Sequence, residues 1–179
     1  RPAFRPGDCP GIHQAGASIL RGSAFCGRPT MMIYTRQALL SAPPAQVFRC
    51  CTSRRGFCRQ FPFEVRWLSG PEQWQVGDVL DFRYRVGRVW LRHRAQVVQY
   101  ESDRLFVDRM LAGPFRHFCH VHRFEPCQQG TRVIDTVEFS VGLGRLVDQA
   151  MAATVLERTF SRRHWALMAM QAELTSMGG

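Results

Sequence analysis

The chain has 179 residues, with 24 basic and 14 acidic side chains, so its formal net charge is +10. All 24 basic residues are arginine, and the chain contains neither lysine nor asparagine. A GC-rich coding bias explains this composition, and the charge alone therefore does not predict an acidic partner. The 45% hydrophobic and 21% charged composition is ordinary for a globular protein and argues against a disordered chain. No apolar run reaches the ~18–20 residues of a membrane-spanning helix, which excludes an integral membrane protein of that kind.

Seven cysteines are spread irregularly along the chain, and no two of them form a CxxC pair. Structural metal sites and disulfide frameworks usually show closer and more regular spacing. The pattern is typical of reduced thiols in a cytoplasmic protein, and we expect that location.

Residues 1–31 differ in composition from the rest of the chain. They contain five glycines, four prolines, four arginines and one acidic residue, without helical or strand periodicity. We interpret residues 1–31 as a disordered leader and residues 32–179 as a single domain. A mitochondrial-type presequence is the competing interpretation, which the glycine and proline content disfavours.

Regular elements are predicted from residue 32 onwards. A strand over residues 33–40 is followed by a short helix, which begins at the Pro43-Pro44 pair because proline suits a first helical turn. A second short helix is predicted over residues 54–61, ending before Pro62.

The next eighty residues alternate apolar and polar side chains, as expected of an antiparallel sheet with one buried face. Six strands are predicted: near residues 63–67, 80–86, 92–97, 105–111, 115–124 and 131–141. Apolar residues then recur every three or four positions over residues 146–174, which predicts one long amphipathic helix. The order predicts an α+β fold whose C-terminal helix packs on the dry face of a sheet of about seven strands.

Several short motifs lie on these strands: Phe106-Val107-Asp108, Gly113-Pro114-Phe115, His120-Val121-His122-Arg123-Phe124, Thr131 and Asp135-Thr136-Val137. With the element order, they resemble the START/SRPBCC superfamily of helix-grip proteins, which includes lipid-transfer domains, pollen-allergen-like proteins and polyketide cyclases/dehydrases. The motifs are most similar to a bacterial ligand-binding branch that is sometimes labelled cell-division-inhibitor-like.

The resemblance implies a curved sheet that wraps the long helix and encloses a cavity for a hydrophobic or amphipathic small molecule. It implies no cofactor and no metal. We expect the following side chains to line the cavity and bind the ligand: Phe82, Tyr84, His93, Phe106, Asp108, Arg116, Phe118, His120, His122, Asp135, Val137, Phe139 and Phe160.

Polar side chains occur at inward-facing positions of the last three strands. If the final hairpin turns around Gln128-Gln129, Asp135 lies opposite His122 and Val137 lies opposite His120. Directly paired side chains have Cβ atoms ~5 Å apart, close enough for a carboxylate–imidazole hydrogen bond. The preceding turn is expected to place Asp108 near Phe118, diagonal to Arg116 and His120. We therefore predict one polar cluster on an otherwise apolar wall.

Three interpretations of this cluster remain open. It is a buried network that fixes strand register, an anchor for a ligand's polar head, or an acid–base pair with His122 as base and Asp135 as its orienting group. A zinc site formed by His120, His122 and Asp135 is a fourth interpretation, which the resemblance does not favour.

Arginines on the outer face of two predicted strands form a possible contact surface: Arg83, Arg85, Arg92 and Arg94. A solvated sheet face is the simpler interpretation; weak contact with anionic surfaces is the alternative. Nucleic acid is not expected, because Tyr100 is the only aromatic residue predicted on that face.

We therefore expect a non-enzymatic binding or carrier protein. The first alternative is a cyclase or dehydratase that uses the His–Asp pair, and the second is an Arg-rich face that docks on anionic lipid or nucleic acid.

Overall fold

The computed structural model describes residues 17–21 and 31–176. Within these ranges the strands form one antiparallel sheet in the order β1-β2-β8-β7-β6-β5-β4-β3. The strands are β1 (Ala17–Arg21), β2 (Met32–Leu40), β3 (Val65–Ser69), β4 (Val79–Val86), β5 (Val89–Glu101), β6 (Leu105–Ala112), β7 (His117–Cys127) and β8 (Gly130–Ser140). The seven strands from β2 to β8 confirm the predicted α+β sheet.

The strand β1 lies inside the segment that we interpret as a leader. It pairs antiparallel with β2 at the sheet edge, with Ala17 opposite Arg36 and Arg21 opposite Met32. The division into a leader over residues 1–31 and a domain over residues 32–179 stays a prediction. Residues 1–16 and 22–30 lie outside the described part of the chain.

Two short helices follow β2, as the sequence predicts. They are α1 (Pro44–Cys51) and α2 (Arg54–Gln60). Pro44 occupies the first turn of α1, and the Ser53 side chain caps α2 by accepting a hydrogen bond from the Gly56 backbone N–H at 3.0 Å. A Cβ atom at Gly56 would stand 2.0 Å from the Cys50 carbonyl oxygen, so the two helices approach closely only because residue 56 is glycine.

The long C-terminal helix spans residues 145–169 and has three consecutive parts. These are α3 (Arg145–Met151), a π-helical segment (Ala152–Leu156) and α4 (Glu157–Ala169). A separate helix, α5 (Gln171–Ser176), follows after a break at Met170. The prediction of one uninterrupted helix over residues 146–174 is therefore wrong at its C-terminal end.

The helix and the sheet enclose two apolar clusters. Phe48 of α1 packs against Phe106 and Phe124 of the sheet in one cluster, to which Leu167 also belongs. Phe160 packs with Tyr34 and Phe139 in the other cluster. Buried polar side chains, including Asp135 and Arg163, are present in addition to these apolar clusters.

Strand registers decide which polar residues meet. Asp135 lies opposite His122 and Val137 lies opposite His120, which confirms the predicted β7–β8 register. Asp108 lies opposite His120 and not opposite Phe118, so the predicted β6–β7 register is wrong by two residues. The cause is the connection: β6 ends at Ala112 and β7 begins at His117, which leaves a longer turn than the sequence suggests.

A bulge in β5 changes the direction of one aromatic side chain. The register shifts between Val97 and Gln99, so Tyr100 turns to the inner face and packs on Phe48 with ring centroids 5.1 Å apart. The prediction that Tyr100 faces outward with the arginines is therefore wrong.

Trp90 is half-buried, and the Arg66 guanidinium lies 4.2 Å from the centroid of its ring.

Cys50, Cys51, Cys58 and Cys119 are free thiols. Cys51, the last residue of α1, is buried, and burial raises the pKa of its thiol to about 12. This thiol is therefore protonated near neutral pH.

Candidate functional site

A pocket of about 310 Å³ lies between the inner face of β4–β7, helix α2 and the long C-terminal helix. Its walls are mainly aromatic and aliphatic. Nine of the side chains predicted to line it do so: Phe82, Tyr84, His93, Phe106, Asp108, Phe118, His120, His122 and Phe160. The volume falls at the lower end of the ~300–1,000 Å³ that is typical of small-molecule sites.

Four predicted lining residues lie elsewhere. Arg116 is exposed in the β6–β7 connection, where its side chain lies against Gly142. Val137 and Phe139 are fully buried in the apolar cluster around Phe160. Asp135 is also fully buried, in contact with His120 and His122. Alternation along a strand predicts which side chains point to the inner face of the sheet. It does not predict which of these side chains pack against the long helix and therefore do not line the pocket.

Asp135 is the hub of the buried polar cluster. Its Oδ2 atom accepts a hydrogen bond from the Arg163 guanidinium and lies 2.6 Å from Nε2 of His164. Its Oδ1 atom lies 3.1 Å from Nε2 of His120 and 3.0 Å from Nδ1 of His122. Burial alone would raise the pKa of Asp135, but the Arg163 charge and the imidazole hydrogen bonds hold it well below its usual range.

Asp108 is the carboxylate on the pocket side of the histidines. One of its oxygens, Oδ2, lies 3.0 Å from Nε2 of His122 and 3.9 Å from Nδ1 of His120. Burial favours the neutral acid, whereas the hydrogen bond from His122 and the neighbouring imidazoles lower the pKa of Asp108 below its ordinary value. Asp108 therefore carries a negative charge at neutral pH.

His120 and His122 lie between the two carboxylates, with ring centroids 3.6 Å apart. Burial, followed by the effect of His122, lowers the pKa of His120 to about 4. His120 is therefore a neutral imidazole at neutral pH. The ring of His122 stacks on Phe106 at a centroid distance of 3.8 Å, which fixes its orientation.

Arg163 and its neighbour His164, both on α4, belong to the site but are not among the residues predicted from the sequence. Arg163 is buried, lines the pocket, and donates from Nε to Oε1 of Gln60 at 2.9 Å. Its Nη2 atom lies 3.3 Å from Nδ1 of His122. A signal was present, because residues 163 and 164 continue the apolar stripe between Phe160 and Leu167 at helical spacing.

His93 lies among aromatic rings on the pocket wall. Its ring centroid is 5.3 Å from that of Phe82 and 5.7 Å from that of Phe118. Burial lowers the pKa of His93, so this imidazole is neutral and contributes mainly to packing.

The outer arginine surface is partly neutralised by acidic neighbours. Arg92 forms a bidentate pair with Asp81, with donor–acceptor distances of 2.9 and 2.5 Å. Arg85 lies 2.7 Å from Glu64, and both side chains are about half exposed. These pairs reduce the charge that this surface presents to an anionic partner.

The geometry defines a helix-grip protein with an apolar internal pocket and one polar wall. The sequence profile of a family described as polyketide cyclase / dehydrase and lipid transport matches residues 31–173. The chain belongs to this family, which confirms the resemblance to the SRPBCC superfamily. A search of curated proteins returns no match.

Solved structures share the fold at low sequence identity. Zhui aromatase/cyclase from Streptomyces sp. R1128 is 17% identical, with 83% of this chain and 99% of that chain covered and a TM-score of 0.64. Ara h 8.0201 is 10% identical, with coverage of 80% and 99% and a TM-score of 0.63. A protein from Arthrobacter aurescens is 17% identical, with coverage of 79% and 86% and a TM-score of 0.63.

Across residues 17–21 and 31–176, every helix is too short or too polar to span a membrane.

Replacing Asp135 by asparagine tests whether its carboxylate stabilises the fold. The variant leaves Arg163 buried without its counter-charge, and we expect unfolding free energy to fall by about 3–5 kcal/mol in urea denaturation. Glu64→Gln, which breaks the half-exposed pair with Arg85, is the matched control and should cost less than about 1 kcal/mol. Equal effects of the two variants would contradict the assignment of Asp135 as a structural hub.

Proposed function

We propose that the protein binds a hydrophobic or amphipathic small molecule in the pocket between the sheet and the long helix. The observation that carries the proposal is a largely apolar pocket of about 310 Å³, one wall of which carries the polar side chains of Asp108, His120 and His122. Such a combination binds a ligand by apolar contact and orients it through a few polar atoms. Membership of a family described by polyketide cyclisation and lipid transport supports the same class of ligand.

The chemistry of the wall narrows the ligand. Aromatic rings of Phe82, Phe118 and Phe160 surround the pocket and favour a planar ring system or an acyl chain. Asp108 is negatively charged and accepts hydrogen bonds, so a ligand whose polar end donates a hydrogen bond fits it best. A free carboxylate at that end would meet Asp108 with a like charge.

Non-enzymatic binding is the simpler activity for this wall. Asp135 is fully buried and is held by Arg163 and the surrounding imidazoles. A carboxylate in that position stabilises the fold and orients the histidines but does not contact a ligand. The protein is accordingly a binding or carrier protein.

Narrowing the pocket should weaken ligand uptake. Thr159 lies on the pocket wall and Thr154 is exposed on the same long helix. We expect Thr159→Trp to weaken binding of N-phenyl-1-naphthylamine, a neutral apolar dye, by at least about tenfold, or ~1.4 kcal/mol. The matched variant Thr154→Trp should bind the dye like the unaltered protein in a fluorescence titration.

The same titration can contradict the proposal. No dye binding by the unaltered protein, or equal affinities of the two tryptophan variants, would show that the pocket does not take up apolar molecules. Circular dichroism of both variants controls for loss of the fold.

A cyclase or dehydratase is the second candidate, and a specific contact favours it. Nδ1 of His122 lies 3.0 Å from Asp135, while its Nε2 atom is on the pocket side near Asp108. A buried carboxylate that orients an imidazole is the usual arrangement behind a general base. Zhui is named an aromatase/cyclase, but at 17% identity the likeness concerns the fold.

Replacing His122 by glutamine separates the two candidates. If His122 is a general base, turnover of a poly-β-ketone thioester analogue should fall by ~10²–10⁴-fold while dye affinity stays within a few-fold. No turnover by the unaltered protein, or unchanged turnover in His122→Gln, would exclude this role. Dye binding reports the carrier function independently of either result.

The third candidate, docking of the outer arginines on an anionic surface, has less support. The ion pairs with Asp81 and Glu64 occupy two of the guanidinium groups that it would require.

A further inference from the structure

Three side chains on the inner faces of β6 and β7 converge at the pocket wall. Asp108, His120 and His122 each offer one ligand atom, and these atoms all lie within 4.8 Å of one another. The separations from Asp108 are 3.0 Å to His122 and 3.9 Å to His120. A tetrahedral ion with bonds of ~2.0–2.1 Å holds its ligand atoms about 3.4 Å apart, and the two distances bracket this value.

Asp135 contacts both histidines at the ring nitrogens that do not face Asp108. In a metal site, this is the position of a carboxylate that orients the metal ligands. Asp135 Oδ1 lies 3.1 Å from Nε2 of His120 and 3.0 Å from Nδ1 of His122. Histidines that bind metals commonly donate their other ring N–H to a carboxylate, which fixes the tautomer and the ring orientation. Here one carboxylate contacts both rings, and Nδ1 of His120 and Nε2 of His122 are the ring nitrogens nearest Asp108. A metal ion at this point would replace the proton that His122 and Asp108 share in their hydrogen bond.

The charges of the cluster also favour a cation at this point. Arg163 forms an ion pair with Asp135, and its contact with His122 is at Nδ1, the ring nitrogen remote from Asp108. Asp108 has the imidazoles of His120 and His122 as its partners in a largely apolar pocket, whereas Asp135 is paired with Arg163. A carboxylate in such surroundings is costly without a counter-charge.

We propose that Asp108, His120 and His122 form a binding site for a divalent transition-metal ion, with Zn²⁺ as the ion that best suits two imidazoles and one carboxylate. The site differs from the zinc set considered from the sequence, because Asp108 takes the place of Asp135. Three protein ligands leave a coordination position open, and all three ligand residues line the pocket. The proposal does not depend on the identity of the apolar ligand.

Cobalt(II) is the probe that separates this site from the cysteines. The full chain is reduced, stripped of metal with a chelator and titrated with Co²⁺ by absorption spectroscopy. We expect one Co²⁺ per chain with visible d–d bands and without the near-ultraviolet thiolate-to-cobalt band. Zn²⁺ should then displace Co²⁺, because the site suits both ions.

Variants assign the ligands. Asp108→Asn and His120→Gln should each weaken Co²⁺ binding by at least about tenfold. His117→Gln is the matched control, because His117 lies on the same strand but alternates to the face opposite His120. It should bind Co²⁺ like the unaltered protein. Uptake of N-phenyl-1-naphthylamine by each variant shows that the pocket is intact.

Three results would overturn the proposal. These are no Co²⁺ binding by the unaltered chain, a thiolate-to-cobalt band that identifies cysteine ligands, and equal Co²⁺ affinity in all variants. If Co²⁺ does not bind while the dye does, the metal site is wrong and the proposed function stands. If Co²⁺ binds while the dye does not, the proposed function is wrong and the metal site stands.

Discussion

The buried ion pair between Asp135 of β8 and Arg163 of α4 is the contact on which the site depends. It joins the sheet to the long helix at a point where both side chains are almost completely buried. A buried carboxylate or guanidinium is tolerated only when it is paired and its remaining polar atoms are satisfied. Gln60 of α2 accepts a hydrogen bond from Arg163 and so satisfies one of its remaining polar atoms. The sheet, the long helix and helix α2 therefore meet at one polar centre.

Further contacts extend from this centre. His120 and His122 contact Asp135 on one side and Asp108 on the pocket side, so the ion pair also orients the polar wall. A second connection between helix and sheet lies outside the pocket, where Tyr34 donates a hydrogen bond to Glu157 at 2.9 Å. The helix is thus held by directional contacts in addition to apolar packing, and the space left between these contacts is the pocket.

The sequence predicts those parts of the site that local rules determine. The Asp135–His122 pairing follows from a two-residue turn at Gln128-Gln129, since a turn of known length fixes the register of a hairpin. The sequence predicts Phe118 as the partner of Asp108, two residues from the observed His120, because the length of the β6–β7 connection is not evident from composition. The predicted outward direction of the Tyr100 side chain is wrong for a similar reason. A bulge reverses the inward–outward alternation of side chains along the strand without leaving a clear signal in the sequence.

Arg163 and His164 show a different limit. Both lie on the buried stripe of α4, but charged residues are usually assigned to a helix's wet face, and only their partners make burial possible. Those partners, Asp135 and Gln60, are distant in sequence and come from separate elements. Tertiary pairing of this kind is not readable from the periodicity of one helix.

A double-mutant cycle between Asp135→Asn and Arg163→Gln tests the central claim most directly. The measured quantity is the coupling free energy, obtained from the urea-induced unfolding of both single variants, the double variant and the unaltered protein. Removal of either charge alone leaves the other buried without its counter-charge, whereas removal of both does not. The account predicts a coupling of about 2–3 kcal/mol, and additive effects with a coupling near zero would contradict it.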